Sequence, residues 1–196
     1  FYEFIKADEF FNENARRYTI GEVQLGINYV LIISTNAGLW GYNIGDTVQF
    51  TSLKPYRVIV SGRIKHYISA FGEHVIGKEV EEALKEAMGN TTVRVNEFTV
   101  APQIAPKDGL PFHEWFIEFE NEPENMEEFI VKIDSAMRKQ NIYYDDLIVG
   151  NVLRKLVITK VSQGGFQNYM KSIGKLGGQN KIARLSNDRS IADKLV

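Results

Sequence analysis

Apolar residues in the first third of the chain fall into short β-prone runs, and after residue 72 they lengthen into helical and alternating patterns. The runs are Thr19 to Val23, Tyr29 to Thr35, Thr47 to Thr51 and Val58 to Ser61, separated by Gly26-Ile27-Asn28, Asn36-Ala37-Gly38 and Leu53-Lys54-Pro55. β-Branched and aromatic segments punctuated in this way predict a small antiparallel sheet or barrel. Tyr29-Val30-Leu31-Ile32-Ile33 is too continuously apolar for a strand with one wet face, so burial on both sides is expected. Residues 1 to 17 mix aromatics and charges without a clear period and read as a connecting segment.

Beyond Gly72 the spacing changes. Val80, Ala83, Leu84, Ala87 and Met88 share one helical face, and Gly89-Asn90 supplies a stop. Thr91 to Val100 reads as a strand, Pro102 to Pro111 as a loop, and His113 to Glu120 as a strand in which Trp115, Ile117 and Phe119 alternate with glutamates. Met126, Phe129, Ile130, Ile133 and Met137 mark the clearest amphipathic helix, with Pro123 near its start. A short helix over Ile142 to Val149, a strand over Val152 to Val161 and a helical turn or two over Phe166 to Ile173 complete the series. That order predicts an α+β layer with the helices on one face of a small sheet.

Composition narrows the classes. With 196 residues the chain can bury a real core, and 23 basic against 25 acidic residues give no bulk attraction to nucleic acid or anionic membrane. The chain has no cysteine, which removes disulfides, thiolate metal sites and a cysteine nucleophile. No apolar run has membrane-spanning length, and Phe1-Tyr2-Glu3-Phe4 lacks the pattern of a signal peptide, so a cytoplasmic location is expected. The missing initiator Met suggests a chain that starts inside a longer protein.

Two stretches carry candidate chemistry. Gly45-Asp46 ends an apolar run and places a carboxylate where it can accept hydrogen bonds from a vicinal diol such as a ribose, though the same dipeptide is also an ordinary turn. Gly174 to Arg184 holds three glycines and three cations, within a tail of six basic and two acidic residues from position 165 onward. Such a stretch can approach a phosphate closely, or it can be a flexible cationic tail; its spacing is not that of a Walker loop. His66, His74 and His113 show no ligand-like spacing, so no metal site is expected from them, and His113-Glu114 reads as strand packing. Trp40, Trp115 and the twelve Phe read most simply as core.

Four segments in order resemble the acyl-adenylate-forming superfamily of acyl-CoA synthetases, adenylation domains and luciferases. They are Tyr42 to Asp46, Gly62 to Lys65, Gly72 to Glu81 and Lys181 to Arg184. A narrower set is similar to the Gretchen Hagen family of acyl-acid amido synthetases, in its bacterial branch: Phe1 to Ile5, Gly38-Leu39-Trp40, Glu97 to Pro102, His113-Glu114-Trp115 and Gln179-x-Lys181-x-x-Arg184. Two positions depart from that family's pattern, Gly41 where Arg is usual and Ala183 where Pro is usual.

The resemblance implies a fold and a set of roles. Residues 1–64 would be the end of a large ATP-binding domain, as a remnant of an antiparallel β-barrel, and residues 65–196 a small α+β lid. Asp46 would hold the ribose of ATP with Tyr42 and Arg63 close by, Lys65 would be the hinge, and Lys181 the mobile catalytic cation. The implied substrates are ATP, a carboxylic acid and an amino acid, with Mg2+ held mainly by upstream residues of the same protein, and the fragment alone is expected to be inactive. A thioester-forming acyl-CoA ligase and a non-enzymatic α+β binding module are the alternatives. Against the second stand the near-zero net charge and the lack of an aromatic-glycine strand signature for RNA.

Overall fold

The structure is a computed structural model that describes residues 1–12, 14–64, 67–175, 177 and 181–196. The expected hinge Lys65, His66 and the Gly178-Gln179-Asn180 portion of the glycine-rich stretch lie outside the described residues. The chain divides into two compact units, Phe1–Lys65 and His66–Val196.

The first unit is a four-stranded antiparallel sheet of β1 (Tyr2–Lys6), β2 (Asn28–Ile33), β3 (Tyr42–Leu53) and β4 (Tyr56–Arg63), in that spatial order. Alternation along β2 sends Tyr29 into one apolar cluster with Phe4, Val48 and Phe50, and Val30 and Ile32 into another with Ile5 and Ile64. The doubly buried strand expected over Tyr29 to Ile33 is therefore present. Phe4, Tyr29 and Phe50 meet edge to face, with centroids 5.2–6.2 Å apart.

Three expectations for this unit need correction. The sheet is open, with β1 and β4 as its two edges, so no barrel forms among the described residues; four strands are too few to close around a core. Part of the supposed connecting segment is β1, which pairs Phe4 with Leu31. Its five residues are too short to display a period. Thr19 to Val23 is a turn, because the Glu22 carboxylate accepts from the backbone N and the Oγ1 of Thr19 at 2.9 and 2.8 Å, a local closure that competes with strand pairing.

The second unit opens with the short strands β5 (Tyr67–Ile68) and β6 (Val75–Ile76) and continues with α1 (Gly77–Met88), β7 (Arg94–Gln103) and β8 (Phe112–Asn121). It then runs through α2 (Met126–Gln140), α3 (Ile142–Val149), β9 (Val157–Lys160) and α4 (Gly165–Ser172). β7 and β8 are antiparallel, β9 joins β8 in parallel, and β7 is one edge of the three-stranded sheet. Helix α1 ends at Gly89, whose φ of 43° suits glycine, and α2 begins at Asn125, which accepts from Glu128 N at 3.1 Å.

Consecutive residues of β8 point to opposite sides. Trp115 and Ile117 join Phe98 and Val100 beneath α1 and α2, whereas Phe116 joins Phe166, Met170 and Ile182 on the other side. Helices therefore cover both faces of the sheet, correcting the one-face expectation; the cause is β8, which has apolar residues at both parities over residues 115–117. The last strand is also shorter than Val152 to Val161. Backbone N–H groups of Val152 and Leu153 donate to Leu147 O, and Arg154 N donates to Pro111 O, so residues 152–154 finish the end of α3 and lie outside the sheet. Trp115 is fully buried and stacks on Phe98 at 5.8 Å, but Trp40 is 86% exposed and Phe1 and Phe11 are exposed too, so those three are not core.

Candidate functional site

The first unit places its candidate residues around a bulge. Residues Ile44, Gly45 and Asp46 of β3 face the single Leu31 of β2, because pairing passes from Val30–Thr47 to Ile32–Asn43. Gly45 makes this possible with a φ of 84°, and its N–H donates to Asn43 Oδ1 at 2.8 Å. The bulge releases Asp46 from β2 and leaves it opposite Arg63 of β4, where Arg63 Nε stands 3.2 Å from Asp46 Oδ1. Two sequence-predicted residues are thus brought together at the surface. Tyr42 opens the same strand with its ring half exposed. At the departure position Gly41, a Cβ would lie 3.4 Å from the guanidinium of Arg17, so a cation from a different segment occupies that place.

The second unit carries Lys181. Its side chain is exposed at the lip of a cleft of about 310 Å³ lined by Glu97, Glu118, Gly164, Phe166 and Lys175. Among the described residues Lys181 has no ion-pair partner. The segment that follows is firmly placed: Ile182 is buried against Phe166 and Met170, and Leu185 is fully buried in the other cluster. Its backbone runs parallel to the free edge of β7, with Val100 N donating to Arg184 O at 2.9 Å and Ser186 N to Val100 O at 3.0 Å. Thr99 Oγ1 donates to Ala183 O at 2.7 Å. Glu118, also in the cleft wall, accepts from the N–H groups of Gly164 and Phe166 and caps α4. The sequence signal for this docking is slight, namely Ile182 and Leu185 flanking a cation in an otherwise polar tail.

A buried polar cluster lies under this unit, and sequence reasoning missed it. His113 Nε2 stands 2.8 Å from Glu73 Oε1 with both side chains excluded from water, and Phe71 N donates to Glu73 Oε2 at 2.8 Å. Burial pushes the Glu73 carboxyl up, but the hydrogen bond and charge of His113 outweigh it and hold the group below its ordinary value. Asn141 Nδ2 donates to Glu73 O at 2.9 Å and to Glu79 Oε2 at 3.2 Å. Burial leaves Glu79 above the ordinary carboxyl value, despite the N–H of Ile76. Tyr144 stacks obliquely on His113 and donates to Asp134 at 2.8 Å; burial raises its phenol well above the usual range. His113 is therefore more than strand packing, and its partner is Glu73, 40 residues earlier, rather than the adjacent Glu114. Among the described residues no cluster of three or more His, Cys, Asp or Glu is arranged to hold a metal ion, and no helix is long and apolar enough to cross a membrane.

Comparison with known proteins adds independent findings. Residues 78–190 match the GH3 family C-terminal domain and residues 1–63 the GH3 family central domain. Indole-3-acetic acid-amido synthetase GH3.10 of Arabidopsis thaliana is 25% identical over 83% of this chain and 28% of its own length. Indole-3-acetic acid-amido synthetase GH3.3 of the same plant is 23% identical over 94% of this chain and 33% of its own length. The solved structure of GH3.15 acyl acid amido synthetase superposes with a TM-score of 0.72 at 18% identity, over all of this chain and 36% of that one. The fold is therefore shared, and the chain spans about a third of the length of the curated relatives it matches.

Proposed function

The chain belongs to the GH3 family, and from that premise we propose that it is the C-terminal part of an ATP-dependent acyl-acid amido synthetase, one of the family's bacterial branch acting in the cytoplasm. Residues 1–64 are then the end of the large ATP-binding domain and residues 65–196 the lid. The observation that carries the reading is the docking of residues 182–186 on the edge of β7, which presents Lys181 on a held backbone with its ammonium free of described partners.

In the proposed reaction a substrate carboxylate attacks the α-phosphate of ATP, forming an acyl-adenylate and releasing pyrophosphate. Asp46, at its bulge, would accept hydrogen bonds from the ribose hydroxyls, and Arg63, 3.2 Å from that carboxylate, would orient it and supply a cation for ribose or phosphate oxygen. Tyr42 contributes an exposed ring on the same strand. Lys181 neutralises the charge that develops between carboxylate and phosphate, an interaction stronger in the transition state than in the ground state. Rotation about Lys65 then separates adenylation from attack by the amino group of an amino acid on the activated carbonyl. The described residues offer no cage for the Mg2+ expected with ATP, so none of these steps is routed through the metal. Without the upstream part of the protein the 196-residue chain is inactive by itself.

The test is pyrophosphate release by the full-length protein across aryl and alkyl carboxylates, with pooled amino acids or with coenzyme A, for wild type and Asp46→Ala. Release that depends on amino acids and weakens in the variant supports the amide ligase. Release that depends on coenzyme A turns the reading to the thioester ligase, and no release with any carboxylate removes the adenylation reading.

A further inference from the structure

We propose that Arg184 is the positioning residue for Lys181, acting by a two-carboxylate clamp that fixes the loop and keeps the lysine from being captured by Glu97; this rests on the reading of Lys181 as the adenylation cation. Arg184 is tied to three places at once. Its Nε stands 3.0 Å from Glu81 Oε1 on α1, its NH1 is paired with Glu97 on β7, and the same nitrogen donates to Phe98 O at 3.3 Å. The guanidinium carbon also lies 4.7 Å from the centre of the Phe98 ring, which itself stacks on buried Trp115. A planar fork with several donors suits this arrangement, and a single ammonium does not.

The consequence for Lys181 follows from chain length and charge. Two residues separate the two positions: Ile182 is buried and the Ala183 carbonyl is held by Thr99. A lysine side chain is long and rotamer-rich, so the place of its ammonium is set chiefly by how firmly its backbone is held. Glu97 belongs both to the clamp and to the wall of the Lys181 cleft. With Arg184 in place, the Glu97 carboxylate is engaged by a guanidinium and by its own chain's Phe98 N–H at 3.1 Å. Removing Arg184 would leave two uncompensated carboxylates, Glu81 and Glu97, beside a loop bearing a free ammonium. Two carboxylates and a carbonyl engage the Nε and NH1 of Arg184, which sets it to hold the loop.

The experiment is a cycle in the full-length protein, measuring carboxylate-dependent ATP–pyrophosphate exchange for wild type, Lys181→Ala, Arg184→Ala, Arg184→Lys and Lys181→Ala combined with each Arg184 variant. Thermal melting is measured in parallel. The expected result is a loss of kcat on the order of 10- to 100-fold in Arg184→Ala with the KM for ATP little changed, as for a misplaced catalytic group. Arg184→Lys should lie between, and either change should add little once Lys181 is already Ala. If Arg184→Ala melts before assay, Arg184→Lys carries the comparison. Equal losses in the presence and absence of Lys181 would overturn the positioning role, as would unchanged kcat in both Arg184 variants while Lys181→Ala is inactive. Full exchange in Lys181→Ala would instead overturn the reading of the lysine on which the inference rests.

Discussion

His113 and Glu73 form a sealed pair, Nε2 to Oε1 at 2.8 Å, that joins the start of β8 to the turn entering β6. The turn is further tied by Asn141, whose amide reaches the Glu73 carbonyl and whose Oδ1 accepts from Tyr144 N at 2.8 Å to start α3. A pair of this kind is costly to break from one side, because the remaining charge stays buried. His113→Phe preserves a ring beside Tyr144 but strands the carboxylate, so it should destabilise the 196-residue chain by about 3 kcal/mol at pH 7, measured by urea unfolding.

The sign of the pH dependence should differ between those two proteins. In the wild type the Glu73 value is depressed, so its contribution is complete above the ordinary carboxyl value of 4.5 and is lost as pH falls through the folded value. In His113→Phe the burial contribution is unopposed by the imidazole, so the stranded carboxyl takes its proton above pH 4.5. The deficit relative to wild type should begin to shrink above pH 4.5 and go on shrinking below it as the wild type loses its Glu73 contribution. Urea midpoints measured from pH 7 down to pH 4 check this, and a deficit that grows with acid would contradict it.

Glu79 should behave in the opposite way although it is only six positions along the chain. Its folded value is raised by burial, so the ionised form weakens the fold above that value and the penalty disappears as pH falls through it. Glu79→Gln keeps an acceptor for Ile76 N and Asn141 Nδ2 without the charge. The variant should be as stable as wild type at pH 7, or more stable by up to about 1 kcal/mol, with the difference vanishing toward acid pH.

Gly45 sits at the left-handed φ of 84° with open space where a Cβ would stand, so backbone strain alone sets the cost of a side chain there. Gly45→Ala should destabilise by about 1–2 kcal/mol in thermal or chemical unfolding. In the full-length protein it should also weaken ATP binding, because the bulge that turns Asp46 toward Arg63 depends on that conformation. An unchanged KM for ATP would separate Asp46 from the nucleotide.

Much of the second unit was legible because periodicity and burial agree there. Ile142 to Val149 is a helix with the bounds expected, and the spacing of Met126, Phe129, Ile133 and Met137 matches α2. What the pattern could not give is contact between distant charged residues. Glu73 and His113 are 40 residues apart and Arg184 and Glu97 are 87 apart, and neither pair leaves a local signature. The Thr19 turn shows another limit, since β-prone residues there are overruled by the carboxylate of Glu22. The glycine before Asp46 predicts a strand end, but Asp46 lies inside β3, where Gly45 makes a bulge and not a stop, and its partner Arg63 is evident only through the β3–β4 register.

The most direct test of the proposed role of Lys181 separates the two half-reactions in the full-length protein. ATP–pyrophosphate exchange reports adenylation, and supplying a preformed acyl-adenylate with an amino acid reports amide formation alone. Lys181→Ala should lower exchange by on the order of 100-fold or more while leaving amide formation from the supplied adenylate near the wild-type rate. Exchange that survives the substitution, or equal loss in both half-reactions, would contradict a lysine that acts on adenylation.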